Sequence, residues 1–230
     1  MIILITGNRK GIGRYLSEHY LEKGHIVLGC SRSESDLQNR NYRHYLADVS
    51  KENDIKKMVL EVKKEFGKID VLINNAGIAS MNLLLLTPTD TARKVMETNY
   101  FGTLVMCREF ARLMRKSNNG RIINFTTVAK PLKLPGELIY AASKAAIETL
   151  TQILSKELAQ YNITVNAIGP TPIKTDLIKG VSKEKLSNII EYQAIKRFGE
   201  REDVVNVIDF YIQPESNFIT GQIIYLGGIS

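Results

Sequence analysis

A single α/β domain is predicted for this 230-residue chain: a doubly wound, parallel seven-stranded sheet with helices on both faces. Three features predict it. Short runs rich in Ile and Val recur along the chain, and most are followed by a stretch with apolar residues at helical spacing. The runs are apolar at nearly every position, as strands buried on both faces are. No linker interrupts the alternation, so one domain spans residues 1–230, and right-handed crossovers wind it in both directions.

Taken in order, "IILIT" ending at a glycine is the first strand, and "GIGRYLSEHYLEKG" is a helix closed by Gly24. "HIVLGCS" and "NYRHYLADVS" are the second and third strands, and "KENDIKKMVLEVKKEFG" is a charged amphipathic helix. "IDVLINNAG" is the fourth strand. A long helix follows from 89, stopped by Asn-Asn-Gly at 118–120. "RIINFTT" is the fifth strand, 137–158 a helix, and "ITVNAIG" the sixth strand. A charged, Pro-containing segment at 170–199 separates it from a helix at 201–212 and a last strand, "QIIYLGG". Ligands of such sheets bind beyond the carboxyl ends of the strands.

Bulk properties exclude several classes. The apolar start is only five residues long with no basic segment before it, so neither a signal peptide nor a membrane span is expected, and residence is expected to be cytoplasmic. Cys30 and Cys107 fit a reduced compartment. The formal charge of +7 invites a nucleic-acid reading. However, basic pairs such as Lys56-Lys57 and Lys63-Lys64 alternate with Glu52, Glu61 and Glu65, as on a solvated helix face. His19, His25 and His44 are dispersed, so no metal site is expected.

"TGNRKGIG" joins the first strand to the first helix. Gly7 permits the tight turn, Gly11 clears the approach of a pyrophosphate, and Gly13 lets helix and strand pack closely; the helix N-terminus supplies N–H groups. The second strand ends at Ser31 and Arg32 with no carboxylate to accept from a ribose 2′-hydroxyl. With Lys10 in the loop, two cations suit a 2′-phosphate, so NADP(H) is expected rather than NAD(H). Arg32 is alternatively a plain surface residue. Asp48 is placed to accept from an adenine amino group or to cap the next helix, a role for which Ser50 competes.

Tyr140 and Lys144 stand one turn apart on the 137–158 helix, on a face that continues through Ile147, Thr151, Leu154 and Leu158. Carbonyl reduction needs hydride at carbon and a proton at oxygen. A free tyrosine is too weak an acid at neutral pH; lowering its pKa by about 3 units needs roughly 4 kcal/mol, which a nearby ammonium is placed to provide.

With "NNAG" at 74–77, "YAASK" at 140–144 and "VNAIGPTPIKTD" from 165, the chain resembles the short-chain dehydrogenase/reductase family over essentially its whole length. The subgroup it is most similar to contains 3-oxoacyl-carrier-protein reductases and small-ketone and polyol enzymes. The resemblance implies a Rossmann-type domain, with Gly7, Lys10, Gly11, Ile12 and Gly13 at the phosphates and Asp48 and Val49 at adenine. It implies Asn75, Ala76 and Gly77 at the ribose, and Pro170, Ile173 and Thr175 beside the nicotinamide. Tyr140 would be the acid/base, Lys144 its partner, and Asn99 a helix stabiliser holding water in the proton path. A homotetramer (or dimer) built through helices 91–117 and 140–161 is implied as well.

Two positions depart from the family. A threonine, Thr127, replaces its usual serine thirteen residues before the tyrosine; the hydroxyl remains able to donate to a carbonyl, and Thr126 is expected to point the other way. Thr171 replaces the usual glycine after Pro170, so either the backbone differs there or that glycine never needed positive φ. Leu177, Ile178, Leu186, Ile189 and Ile190 have the spacing of a short lid, and Lys130 and Lys133 near the entrance suit an anionic substrate. Carrier-protein reductases commonly carry basic residues where this chain has Asn118-Asn119 and Tyr161. A small ketone or secondary alcohol is therefore the leading substrate class. A carrier-bound 3-oxoacyl group and a catalytically weak NADP-binding sensor are the alternatives.

Overall fold

A computed structural model describes residues 1–178 and 180–229, without the side chains of Leu177 and Lys183. Seven parallel strands lie in the order β3-β2-β1-β4-β5-β6-β7. They are β1 (Ile2–Thr6), β2 (Ile26–Ser31), β3 (Tyr42–Leu46), β4 (Val71–Asn74), β5 (Gly120–Phe125), β6 (Ile163–Gly169) and β7 (Ile223–Tyr225). The order reverses between β1 and β4, which opens a crevice at their carboxyl ends.

Alternation along the strands divides the core in two. Ile3 and Ile5 join Leu16 and Tyr20 of α1 (Gly11–Glu22) and Val204 and Ile208 of α8 (Arg201–Ile212) on one face. Leu4, Leu28 and Leu72 join Ile55 and Met58 of α2 (Glu52–Phe66) and Met106 and Phe110 of α4 (Gly102–Met114) on the other. Burying each such side chain contributes about 1.5–3 kcal/mol.

The helix expected as one piece from 89 is α3 (Thr89–Met96), a wide π turn (Glu97–Phe101) and α4. Buried Asn99 sits in that turn. Its Oδ1 accepts from the Ile78 N–H at 2.9 Å, and its Nδ2 donates to Ile78 O at 2.9 Å and Ser143 Oγ at 3.0 Å. The turn thus fixes the loop after β4 and the helix α6 (Leu138–Glu157) at once. A second set of bonds bolts α6 to the sheet: Asn74 donates to Asn124, Asn124 to Thr151 of α6, and Thr151 to Ile147 O. The short helices α5 (Ala129–Leu132) and α7 (Lys183–Tyr192) follow β5 and β6.

Candidate active site

The crevice holds a cleft of ≈ 520 Å³. Gly7 and Gly11 have φ of +68° and +61°, which only glycine adopts freely. A Cβ on Gly7 would lie 2.9 Å from Ala76 Cα, and one on Gly13 would lie 2.6 Å from both Gly7 O and Asn75 Nδ2. Gly13 packs closely, but against the glycine loop itself and Asn75 just past β4 rather than against a strand; Gly11 is required by its φ, with Thr175 across from it. Asn75 donates to Thr6 O and Gly7 O, and the Ala76 N–H to Thr6 Oγ1, so the loop after β4 clamps the glycine loop. α1 begins with no side-chain cap and no acid in its first turn, which leaves its N–H groups for an anion.

Ile12, Ser31, Arg32, Asp48, Val49 and Gly77 line the cleft, and so does Arg9, which the sequence reading missed although it lies in the glycine loop. Ser31 is held by its own donation to Ser33 O, and His44 Nε2 lies 3.2 Å from Ser31 Oγ and 3.0 Å from Ser33 O. Asp36, a carboxylate shortly after β2, is tied to Arg14, whose guanidinium holds it below the usual carboxylate range. Lys10 lines the cleft in an ion pair with Asp176 at 2.7 Å, a contact across the crevice that sequence separation hid. Asp48 accepts from the N–H and hydroxyl of Ser50, while the N-cap of α2 is Lys51, so neither expected candidate caps that helix. The glycine cradle, uncapped helix and surrounding cations fit a dinucleotide.

Beyond this cleft a second cavity of ≈ 160 Å³ opens at the ends of β5 and β6. Thr127, Tyr140, Lys144, Pro170, Ile173 and Thr175 meet there. Thr127 Oγ1 accepts from the Ala129 N–H at 3.3 Å and neighbours the Tyr140 phenol, whose pKa it lowers. Thr126, expected to point the other way, also lines the cavity, but its hydroxyl is engaged with Glu148 Oε1 at 2.7 Å. Thr171 has no positive φ among the described residues; it is buried in space left by Gly199 and Gly227, so the glycine it replaces is not needed there.

Electrostatics depart from expectation. The Lys144 ammonium donates to Phe125 O at 2.7 Å and lies 6.0 Å from the centre of the Tyr140 ring. Burial pushes the Tyr140 phenol up to about 12, with Thr127 opposing and the charge of Glu137 assisting. Burial pulls Lys144 down to about 8. Desolvation is the largest influence on each group, so the phenol is no more acidic than a free tyrosine in this arrangement.

The entrance also differs. Lys130 is paired with buried Glu148 at 2.8 Å, and neither it nor Lys133 lines the cavity. Ile178, Leu186 and Ile189 do line it, as a lid would; Ile190 does not, and Leu177's side chain lies outside the described residues. Glu137 faces the cavity unforeseen.

A family model described as short chain dehydrogenase matches residues 1–186. The chain belongs to the short-chain dehydrogenase family. Similar proteins include 3-oxoacyl-(acyl-carrier-protein) reductase of Staphylococcus epidermidis, 32% identical, with 98% of this chain and 96% of that protein covered. The same reductase of Escherichia coli is 30% identical, with 99% and 96% covered. Among solved structures, the ligand-free aldohexose dehydrogenase of Thermoplasma acidophilum superposes with a TM-score of 0.90 at 26% identity, covering 99% of this chain and 93% of that one. A 4-hydroxyisoleucine dehydrogenase complexed with NADH gives 0.87 at 29% identity, covering 100% and 98%. This short-chain dehydrogenase is thus an NAD(P)-dependent oxidoreductase of Rossmann type. Among its described residues, no helix is long and apolar enough to cross a membrane.

Proposed function

We propose that the chain is a cytoplasmic NADP(H)-dependent reductase of a small ketone, or dehydrogenase of the matching secondary alcohol. The observation that carries this reading is the meeting of Thr127, Tyr140 and Lys144 in a cavity that shares Ile12, Asn75, Gly77 and Thr175 with the glycine-loop cleft. A bound nicotinamide supplies or accepts the hydride. Thr127 donates to the carbonyl oxygen, and Tyr140 delivers a proton as negative charge builds there. A phenol near 12 keeps its proton at neutral pH and releases it only to that developing charge. Lys144 holds a buried positive charge beside Gly77 and Asn99, in reach of a ribose. Asn99 acts by position, through Ile78 and Ser143.

Arg9, Lys10 and Arg32 line the cleft, while Glu34 and Asp36, the carboxylates that follow β2, are not among its described lining residues, and this supports NADP(H). Exposed Phe101 on the π turn, beside α4, and Leu138 and Ile153 on α6 support pairing of copies into a tetramer or dimer. Oxidation of NADPH with a panel of small ketones tests the whole reading: turnover by the native chain and its loss in Tyr140→Phe, with NADPH binding kept, is the expected result. Binding without turnover on any ketone would leave a nucleotide sensor instead.

The carrier-protein relatives favour a second reading, reduction of a 3-oxoacyl thioester. The Arg115 guanidinium stacks over Tyr161 at 4.3 Å and brings a cation to the place where the sequence has none. Turnover of a carrier-bound acetoacetyl group well above that of small ketones would select it.

A further inference from the structure

The substrate cavity is walled mainly by apolar side chains: Met81, Val128, Leu134, Ile178, Leu186 and Ile189 are all part of it. Apart from Tyr140, its ionisable lining groups among the described residues are Lys144 and Glu137. Glu137 occupies the N-cap position of α6 yet makes no capping hydrogen bond. Its Oε2 is buried without a hydrogen-bond partner. Burial raises its pKa, and the charge of Lys185 from α7 offsets part of that rise. The desolvation of that carboxylate oxygen is offset by no hydrogen bond, and a capping role, the ordinary reason for a polar residue here, is not fulfilled.

We propose that Glu137 is a specificity-determining residue that accepts a hydrogen bond from a hydroxyl group on the substrate, one or two carbons from the reacting carbon. The position follows from the helix. Glu137 and Tyr140 are three residues apart, so their side chains rise from neighbouring points, roughly 5–6 Å apart at Cβ. A molecule whose oxygen meets Tyr140 presents its α or β substituent to Glu137. A hydroxyl is the matching group, because it pairs with either protonation state of a carboxyl that burial drives toward neutrality. An ammonium would meet the nearby positive charge of Lys144. The substrate class is accordingly an α- or β-hydroxyketone, or the corresponding diol. The assignment rests on the reductase reading above.

The test compares 1-hydroxybutan-2-one with butan-2-one in the native chain, Glu137→Gln and Glu137→Leu. The native enzyme is expected to favour the hydroxyketone in kcat/KM by about 10- to 100-fold, as for a buried polar group that the plain ketone leaves unpaired. Glu137→Leu is expected to remove that preference by raising KM for the hydroxyketone while improving use of butan-2-one. Glu137→Gln, nearly the same shape, keeps part of it and guards against a folding defect. Equal losses on both ketones in both variants would make Glu137 a structural residue and overturn the proposal; so would a native preference for 1-aminobutan-2-one. Binding of the two ketones to the NADPH complex, read by nicotinamide fluorescence, needs no turnover. If the native chain reduces neither ketone, the reductase reading fails, and Glu137 still stands or falls on whether only the hydroxyketone binds.

Discussion

Replacing Lys144 by methionine should stabilise the nucleotide-free protein at neutral pH while abolishing turnover. Lys144 is 4% exposed, and burial lowers its pKa from 10.5 to about 8. The folded pKa is depressed for a base, so between about 8 and 10.5 the unfolded chain binds the proton and the folded chain does not. Stability therefore rises with pH through that window and is lowest below it. Carrying the buried charge at pH 7 costs about 3 kcal/mol; at pH 9.5 the cost is about 1 kcal/mol. Methionine has a similar length and no charge, but it gives up the 2.7 Å bond to Phe125 O, a loss of about 1 kcal/mol or more. The variant should gain roughly 1–2 kcal/mol at pH 7 and nothing, or a small loss, at pH 9.5. Urea unfolding of both proteins at the two pH values measures this directly. A variant less stable than the native chain at pH 7, or a difference independent of pH, would refute desolvation as the dominant influence on this lysine.

Gly13→Ala places a Cβ 2.6 Å from Gly7 O and Asn75 Nδ2; overpacking there should cost about 1–3 kcal/mol in thermal unfolding and weaken NADPH binding in titration. Arg32→Ser should raise KM for NADPH by roughly 10- to 100-fold, the worth of a charge-assisted bond, with KM for NADH little changed. Glu148→Leu strips the acceptor from Thr126, Tyr225 and Lys130 together; Lys130 is 40% exposed and rehydrates, so the cost is that of the orphaned hydroxyls, about 1–3 kcal/mol, read as a lower urea midpoint.

The sequence announces what depends on local pattern. The strands of β1 and β6 are legible because Ile, Leu, Val and Ala fill most of their positions, and the glycine loop because its spacing serves backbone geometry. Tyr140 and Lys144 are legible because a helix brings residues four apart together. Contacts between distant segments are not written that way. Lys10 and Asp176 are 166 residues apart, and nothing local in either marks the ion pair. Thr171 looks like a backbone problem until Gly199 and Gly227 are seen to leave room for it. Glu137 reads as an ordinary helix-start acid. Its direction depends on Gly136, with φ of +88°, and on where α7 lands. The π turn at Asn99 is hidden because its helical spacing looks continuous on both sides.

Burial also decides which way the chemistry runs most readily. The phenol near 12 and the amine near 8 are both driven toward their neutral forms by the same apolar surroundings. A protonated Tyr140 is ready to donate across the whole neutral range, so reduction should vary little with pH there. Alcohol oxidation needs Tyr140 as a base, and the proton it must lose is held more tightly than in a free tyrosine. Oxidation should therefore climb steadily from pH 7 to 10 while reduction stays nearly flat. Parallel profiles in the two directions would mean that the ammonium, and not desolvation, governs the phenol once nucleotide is bound.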